Sequence, residues 1–420
     1  MQNRYLFCPI HGFWRFGGGD EGQDRIHSLY SRVYPRRPPG GRRQGTISVI
    51  RRRAWAFLLS GLWPFLCAAS SVRYLLHCGP TIRKRTGKGL IRQFLEQLQL
   101  GVWHSIPPYS YYEYSLYHQK NRRQASSFIH AYERGYLAMA FMSGQDRRIL
   151  DDKSLFQDFC ERLRISTPPV VARFESGKMT VVDQGLEDGL PATDLFSKPA
   201  GAALGRGIAR WEVMVNGEYS DAEGARFSSE QLIEHLETLS LGEPHLLQPR
   251  LRNHPDLDAV SLGGLCTARI ITCRLPGEDP TLALAVFRMP RGQAVGDNFA
   301  YGGIACAIDV DRGELLGSAL GAGLLSERFD CHPDTKRPIA GIVLPQWDVA
   351  VSLCLRAHEQ LASCPAIGWD VAFTPTGPML IEGNLPFCTS LAQVPGATPL
   401  LETSYQSAIL GFLAQSDEFN

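Results

Sequence analysis

The sequence predicts an α+β protein in which helices lead into strands joined as hairpins. Three observations carry this. Residues 367–373 and 377–384 are apolar runs separated only by Thr374, Pro375 and Thr376, the pattern of a buried hairpin. Helical spacing marks residues 88–100 and 151–163. Strand-like runs then recur at 170–174, 195–198, 265–272, 282–287 and 304–309. At 420 residues the chain has room for two or three domains, and 44% hydrophobic with 20% charged residues is ordinary for a globular protein. The net charge of +1 gives no general pull towards nucleic acid, and none is expected as a partner. The 11 cysteines, an odd number without a C-x-x-C pair, fit a reducing compartment and a cytoplasmic location.

Residues 1–50 differ from the rest. Gly17 to Gly19, the Pro/Gly/Arg run at 35–43 and a surplus of arginine predict a basic, disordered extension. An extension added by an early start codon is the alternative. Arg51, Arg52 and Arg53 then precede an uncharged run at 54–69 that Gly61 and Pro64 interrupt. A packed or membrane-surface helix is expected there ahead of a span, with peripheral membrane contact through residues 51–76.

Leu90, Ile91, Phe94, Leu95 and Leu98 lie at helical spacing and are expected to form one buried face. Five tyrosines within 109–117 are expected to pack against a neighbouring helix. Asp151 and Asp152 open a capped helix with Leu155, Phe156, Phe159 and Leu163 on its apolar face; Pro168-Pro169 stop it before the strand at 170–174.

The chemistry-bearing residues follow. Lys198 ends a strand and enters a loop holding Gly201, Gly205 and Gly207, where close backbone approach and a flexible cation suit a phosphate. A plain connection is the alternative, and the loop lacks the Walker ending. Arg269 sits inside a core-like strand and needs either a buried acid or a phosphate; Arg288 repeats the theme at a strand end. Asp297-Asn298 and the paired Gly302-Gly303 suit a ligand or a tight bend, and residues 309–313 read as a hairpin turn. His332 is as much a structural turn residue as a substrate contact. In the last hairpin Glu382 and Asn384 project from one face, and normal register brings Asp370 to them. Two carboxylates and an amide form an oxygen-rich site suited to Mg²⁺; a solvated strand end is the alternative.

In this order the motifs resemble the ATP-grasp superfamily, most closely its sugar-transfer-associated branch, which is related to the alpha-glutamate ligases. The matching residues are Asp152-Lys153, Pro168-Pro169, Lys198-Pro199, residues 247–251, Thr267 to Ile270, Asp297-Asn298 to Gly302-Gly303, residues 332–335, Gly368 to Asp370, and Glu382 to Asn384. The likeness spans about residues 87–400 and implies an ATP-grasp fold of two α+β subdomains clamping ATP. These would comprise a helical lead-in at 51–150 and an ATP-grasp domain at 151–415, with a clamp near 165–250 and a catalytic subdomain near 251–415.

Carried across, the resemblance implies that Lys153 and Lys198 hold ATP phosphates and that Gly201, Gly205 and Gly207 form a mobile cover. The hinge of Gln248, Arg250 and Leu251 would pair with adenine through its backbone. Asp370, Glu382 and Asn384 would hold Mg²⁺ or Mn²⁺, while Arg269, Arg288 and Asn298 would face substrate or phosphoryl. Three departures stand out: Pro249 removes a hinge donor, Cys266 replaces an expected asparagine, and Gly368 stands where amine ligases carry an arginine that Arg269 would replace. The implied activity is ATP-dependent ligation of a small-molecule carboxylate to an amine in cell-surface polysaccharide biosynthesis. Phosphorylation of a sugar or polyol hydroxyl, or a non-catalytic role in glycan assembly, is the alternative.

Overall fold

A computed structural model describes residues 46–130, 133, 145–181, 189–201, 207–292, 297–299 and 302–415, with backbone alone at 46–60, 145 and 181. A long helix α1 (Thr46–Thr86) is followed by α2 (Leu90–His104), α3 (Pro108–Glu113) and α4 (Gln119–Arg123). Helix α1 runs through both Pro64 and Pro80. Gly61 and Pro64, expected to interrupt it, are exposed. There the carbonyl that loses its intrahelical partner can be hydrated, so proline costs the helix less than it would inside a core.

Helix α2 overturns the expected buried face. Ile91 and Leu95 are exposed, whereas Gln93, Glu96 and Gln97 are buried. The polar side faces inward because most of its groups are partnered there, Gln97 Oε1 being the exception. Glu96 pairs with Lys88 at 2.7 Å and Arg122 at 3.0 Å and accepts from Tyr111 Oη at 2.6 Å. Gln97 Nε2 donates to Tyr112 Oη at 3.2 Å, which in turn donates to Gln93 Oε1 at 3.1 Å. Tyr109, Tyr111, Tyr112 and Tyr114 are buried, so the tyrosine-rich stretch packs as expected.

Two antiparallel sheets follow α5 (Gln145–Asp151) and α6 (Lys153–Arg162). Asp152 caps α6 by accepting from the N–H groups of Ser154 and Leu155, which fixes Lys153 at its first turn. Phe156, Phe159 and Cys160 form the buried face of α6, while Leu155 is exposed. The first sheet contains β1 (Ala172–Glu175), β2 (Lys178–Val181), β3 (Leu195–Pro199), β4 (Ala209–Val213), β5 (Tyr219–Ser220), β6 (Arg226–Phe227) and β7 (His245–Pro249), in the order β2-β1-β7-β3-β4-β5-β6. Helix α7 (Ser229–Ser240), opened by a Ser228–Gln231 capping box, contributes Leu232 and Leu236 to the core beneath it.

The second sheet contains β8 (Thr267–Cys273), β9 (Thr281–Met289), β10 (Ile304–Asp309), β11 (Glu314–Gly321), β12 (Arg328–Phe329), β13 (Ala366–Thr374) and β14 (Gly377–Asn384), in the order β12-β11-β10-β9-β8-β13-β14. Both faces are covered. Helix α8 (Trp347–Glu359) and α6 join the larger core, and α9 (Ser404–Gln415) lies in the smaller one with Ile271, Leu284 and Phe387. Burial on both faces explains why β8 and β13 read as continuous apolar runs. The turn expected at 309–313 joins β10 to β11, with Asp309 Oδ1 accepting from the N–H of Asp311 and of Arg312.

Candidate active site at the terminal hairpin

The site is built by cross-strand register. Asp370 on β13 lies opposite Glu382 on β14, and on its other side opposite Arg269 on β8. Thr267, two residues before Arg269 and so on the same face of β8, lies opposite Arg288 on β9. A bulge between Asp370 and Val371 sets the phase of β14 just before Glu382. Glycine is required at Gly383: a Cβ there would lie 2.6 Å from Leu150 Cδ2 and 2.7 Å from Trp369 Cζ3. With Gly383 turned to the core, Glu382 and Asn384 take the opposite face and remain half-buried, open to a ligand.

Asp370 is a buried counterion shared by two arginines. Arg269 forms a forked pair with it, through Nε to Oδ1 and through Nη2 to Oδ2 at 3.1 Å, while Arg288 Nη2 reaches Oδ2 at 2.9 Å. Burial alone would raise the pKa of Asp370, but the two guanidinium groups override it and hold the group at about 2. Of the two expectations for Arg269, the structure shows the pairing with a buried acid, and that acid is Asp370 of the candidate metal set. The side chain of Arg269 also runs past Gly368, where a Cβ would lie 3.1 Å from Arg269 Cδ and 2.7 Å from Phe387 Cβ. The place of the missing arginine is thus physically taken up by Arg269 and Phe387.

Asp297 and Thr267, which the sequence places in motifs but gives no role as site residues, belong to the same network. Thr267 Oγ1 donates to Asp297 Oδ2 at 2.6 Å and accepts from Arg288 Nε at 3.0 Å, and Arg288 Nη2 lies 3.4 Å from Asp297 Oδ1. Burial pushes Asp297 up to about 6 against the opposing pull of Arg288. Arg288 is raised despite burial, by Asp297, Asp370 and Glu382 together. A threonine and an aspartate carry no signal by themselves; only the Thr267–Arg288 register reveals the cluster.

Lys198 arrives from β3 of the other sheet, and Lys153 from the start of α6. The Lys153 N–H donates to the Ala200 carbonyl at 3.1 Å, tying the start of α6 to the end of β3. Lys198 is buried, which pulls its pKa down to about 8; Glu382 opposes that shift and Lys153 adds to it. Lys153, Lys198 and Glu382 therefore share one electrostatic neighbourhood. In the glycine loop, the Gly201 N–H donates to Glu243 Oε1 at 3.2 Å, so a carboxylate oxygen sits against this backbone donor. Gly207 has φ +73, a conformation suited to glycine. Gly205 lies outside the described residues.

The hinge offers less than expected. Gln248 is buried and its Nε2 donates to the Pro168 carbonyl at 3.0 Å. Pro249 has no N–H, and the Arg250 N–H donates to the Asp194 carbonyl at 2.8 Å. Arg250 Nη2 donates to the Gly263 carbonyl at 3.2 Å. Leu251 keeps a backbone N–H without an acceptor among the described residues. In the loop after β9, Asn298 accepts the Gly303 N–H at 3.2 Å, and a Cβ on Gly303 would lie 2.7 Å from the Asp297 carbonyl oxygen, so the paired glycines make a tight bend. His332 is satisfied within its turn, with Nε2 bonded to the Pro290 carbonyl at 2.9 Å.

The donors suit a hard divalent cation. Among the described residues no three His, Cys, Asp or Glu side chains form a metal-binding group. Glu382 and Asn384 instead present an open pair of oxygen ligands, the arrangement Mg²⁺ accepts when phosphate and water complete its shell. Asn384 Nδ2 donates to the Gly368 carbonyl at 3.3 Å and to Glu382 Oε1 at 3.2 Å, and its amide oxygen accepts no hydrogen bond among the described residues.

Two antiparallel sheets, with a strand lysine of the first and a helix-start lysine in the electrostatic neighbourhood of Glu382 on the second, are an arrangement in keeping with an ATP-grasp protein. The profile of the sugar-transfer associated ATP-grasp family matches residues 134–406, and the chain belongs to that family. Helices α1 to α4 lie outside the match, which begins well after the expected residue 87. No curated protein sequence matches. Among solved structures, D-alanine–D-alanine ligase from Helicobacter pylori is 12% identical, covers 61% of this chain and 58% of its own length, and has a TM-score of 0.33. D-alanine–D-alanine ligase from Bacillus anthracis complexed with ATP is 11% identical over 64% of this chain and 70% of that one, TM-score 0.35. L-amino acid ligase from Bacillus licheniformis is 10% identical over 66% and 53%, TM-score 0.36. This chain thus spans less than two thirds of the first of these structures.

Proposed function

We propose that this protein is an ATP- and Mg²⁺-dependent carboxylate–amine ligase acting through an acyl phosphate, in cell-surface polysaccharide or related biosynthesis. The observation that carries this is the meeting of Lys153 and Lys198 with Glu382 beside the Arg269–Asp370–Arg288 cluster. Glu382 and Asn384, backed by Asp370, would hold Mg²⁺ or Mn²⁺, whose charge lowers the cost of moving a phosphoryl group. Lys153 and Lys198 hold the ATP phosphates, and the Leu251 N–H is the hinge donor left for the base. The substrate carboxylate attacks the γ-phosphorus and ADP leaves. The amine then attacks the acyl carbon, phosphate departs, and the nitrogen gives up a proton. Arg269 and Arg288 stabilise charge on the transferring group, so positioning and electrostatics supply most of the catalysis.

A second reading, phosphorylation of a sugar or polyol hydroxyl, rests on Asp297. A buried carboxylate bonded to Thr267 and Arg288 is the kind of base that a hydroxyl acceptor needs. Incubation with Mg-ATP, pooled amino acids and sugar acids, and hydroxylamine separates the two. A ligase yields ADP and a hydroxamate; a kinase yields a phosphorylated product that hydroxylamine leaves intact. Absence of any substrate-dependent ADP release from broad pools would count against both.

A further inference from the structure

We propose that the α1–α2 hairpin docks on an anionic membrane surface. Both helices expose apolar side chains, and α2 buries a polar face. On α1, Trp63, Cys67, Ser71, Cys78 and Ile82 are buried, while Leu62, Phe65, Val72 and Leu76 are exposed, Phe65 at 74% and Leu76 at 75%. At 3.6 residues per turn, Leu62, Phe65, Ala69, Val72 and Leu76 fall within roughly 80° of one another, nearly opposite the buried set, and extend for about 21 Å. On α2 the exposed apolar residues are Ile91, at 79%, Leu95 and Trp103, while its buried interior is the Glu96–Gln93–Gln97 network. An apolar stripe left exposed along α1, continued by exposed apolar residues on α2, is not what a helix pair facing only water presents.

Charge selects the occupant. Helix α1 contains no acidic residue across its 41 positions but carries Arg51, Arg52, Arg53, Arg73, Arg83, Lys84 and Arg85. Leu62, Phe65, Ala69, Val72 and Leu76 also fit the a/d spacing of a coiled coil, but two such helices would bring two cationic surfaces together. An anionic bilayer matches both features: apolar side chains enter the acyl boundary and basic ones meet the headgroups. The contact is peripheral, because no described helix is long and apolar enough to cross a membrane. The surface lies outside the residues that match the family.

The test is cosedimentation of the full chain with vesicles of phosphatidylcholine alone or containing about one third phosphatidylserine. The expected result is binding to the anionic vesicles only, weakened at least about tenfold by the double substitution Phe65→Glu/Leu76→Glu. Arg73→Glu/Lys84→Glu should also weaken it, by about fivefold per basic residue removed. Circular dichroism checks that each variant keeps its helices. No vesicle binding, or binding indifferent to both variants, would overturn the proposal. Self-association without vesicles that Phe65→Glu/Leu76→Glu abolishes would overturn it too, assigning the stripe to a second copy.

Discussion

Arg269 and Asp370 face each other directly across β8 and β13, forming a forked ion pair in which both side chains are almost wholly buried. Arg288 joins the pair, so one carboxylate is shared by two guanidinium groups inside a sheet. Removing the acid leaves Arg269 without a carboxylate partner among the described residues and Arg288 with Asp297 alone. Asp370→Ala should therefore cost about 3–5 kcal/mol in urea unfolding. Above the unfolded pKa near ~4 this contribution is fully present, and it should fade as pH falls through about 2, where the native carboxylate protonates. A cost below about 1 kcal/mol would mean the pair is far more hydrated than the structure shows.

If Lys198 holds ATP phosphates as proposed, it should set a pH limit on nucleotide binding. Burial holds it at about 8, so it becomes neutral as pH rises through that value, whereas phosphate favours its charged form. Mg-ATP affinity should decline above about pH 8 and remain flat in Lys198→Arg, whose cation does not titrate there. Calorimetry in buffers of different ionisation enthalpy should also detect proton uptake on binding in that range. Equal wild-type affinity on both sides of pH 8 would contradict the assignment.

Gly383 is a packing constraint on the ligand edge. Gly383→Ala drives a methyl group into Leu150 and Trp369, so stability should fall by about 1–3 kcal/mol. The displaced strand should also carry Glu382 and Asn384 out of position, and ATP binding should weaken in the presence of Mg²⁺. Thermal unfolding and ATP titration check the two effects separately.

Asp152 links helix capping to the site. Asp152→Ala removes the acceptor for two N–H groups at the start of α6 and should cost about 1 kcal/mol. Because Lys153 is the next residue, ATP affinity should fall more than such a modest loss of stability would suggest. A wild-type affinity with a lowered Tm would separate Lys153 from the phosphates.

The hairpin was legible because Glu382 and Asn384, two residues apart in an apolar run, must share a face, and the short turn through Thr374 to Thr376 leaves little freedom of register. Arg269 was legible only as a problem, a charge in a core strand. Its solution depends on β8 lying beside β13, strands almost a hundred residues apart in sequence. Asp297 was legible as a motif residue but not as a partner, since Thr267 and Arg288 join it only after β8 and β9 pair. In the hinge, the Arg250 N–H looks available until Asp194 is placed beside it. In α2 the periodicity correctly showed two faces but could not show which one the tyrosine-rich segment would cover.

The central claim is that Glu382 and Asn384 carry the metal that presents ATP to Lys153 and Lys198, and Mg²⁺-dependent ATP binding by isothermal titration tests it most directly. Wild-type protein should bind ATP with Mg²⁺ or Mn²⁺ far better than with EDTA. Glu382→Gln should lose at least about tenfold of that affinity with its Tm unchanged. Metal-independent ATP binding, or a Glu382→Gln variant that binds Mg-ATP as tightly as the wild type, would contradict the account.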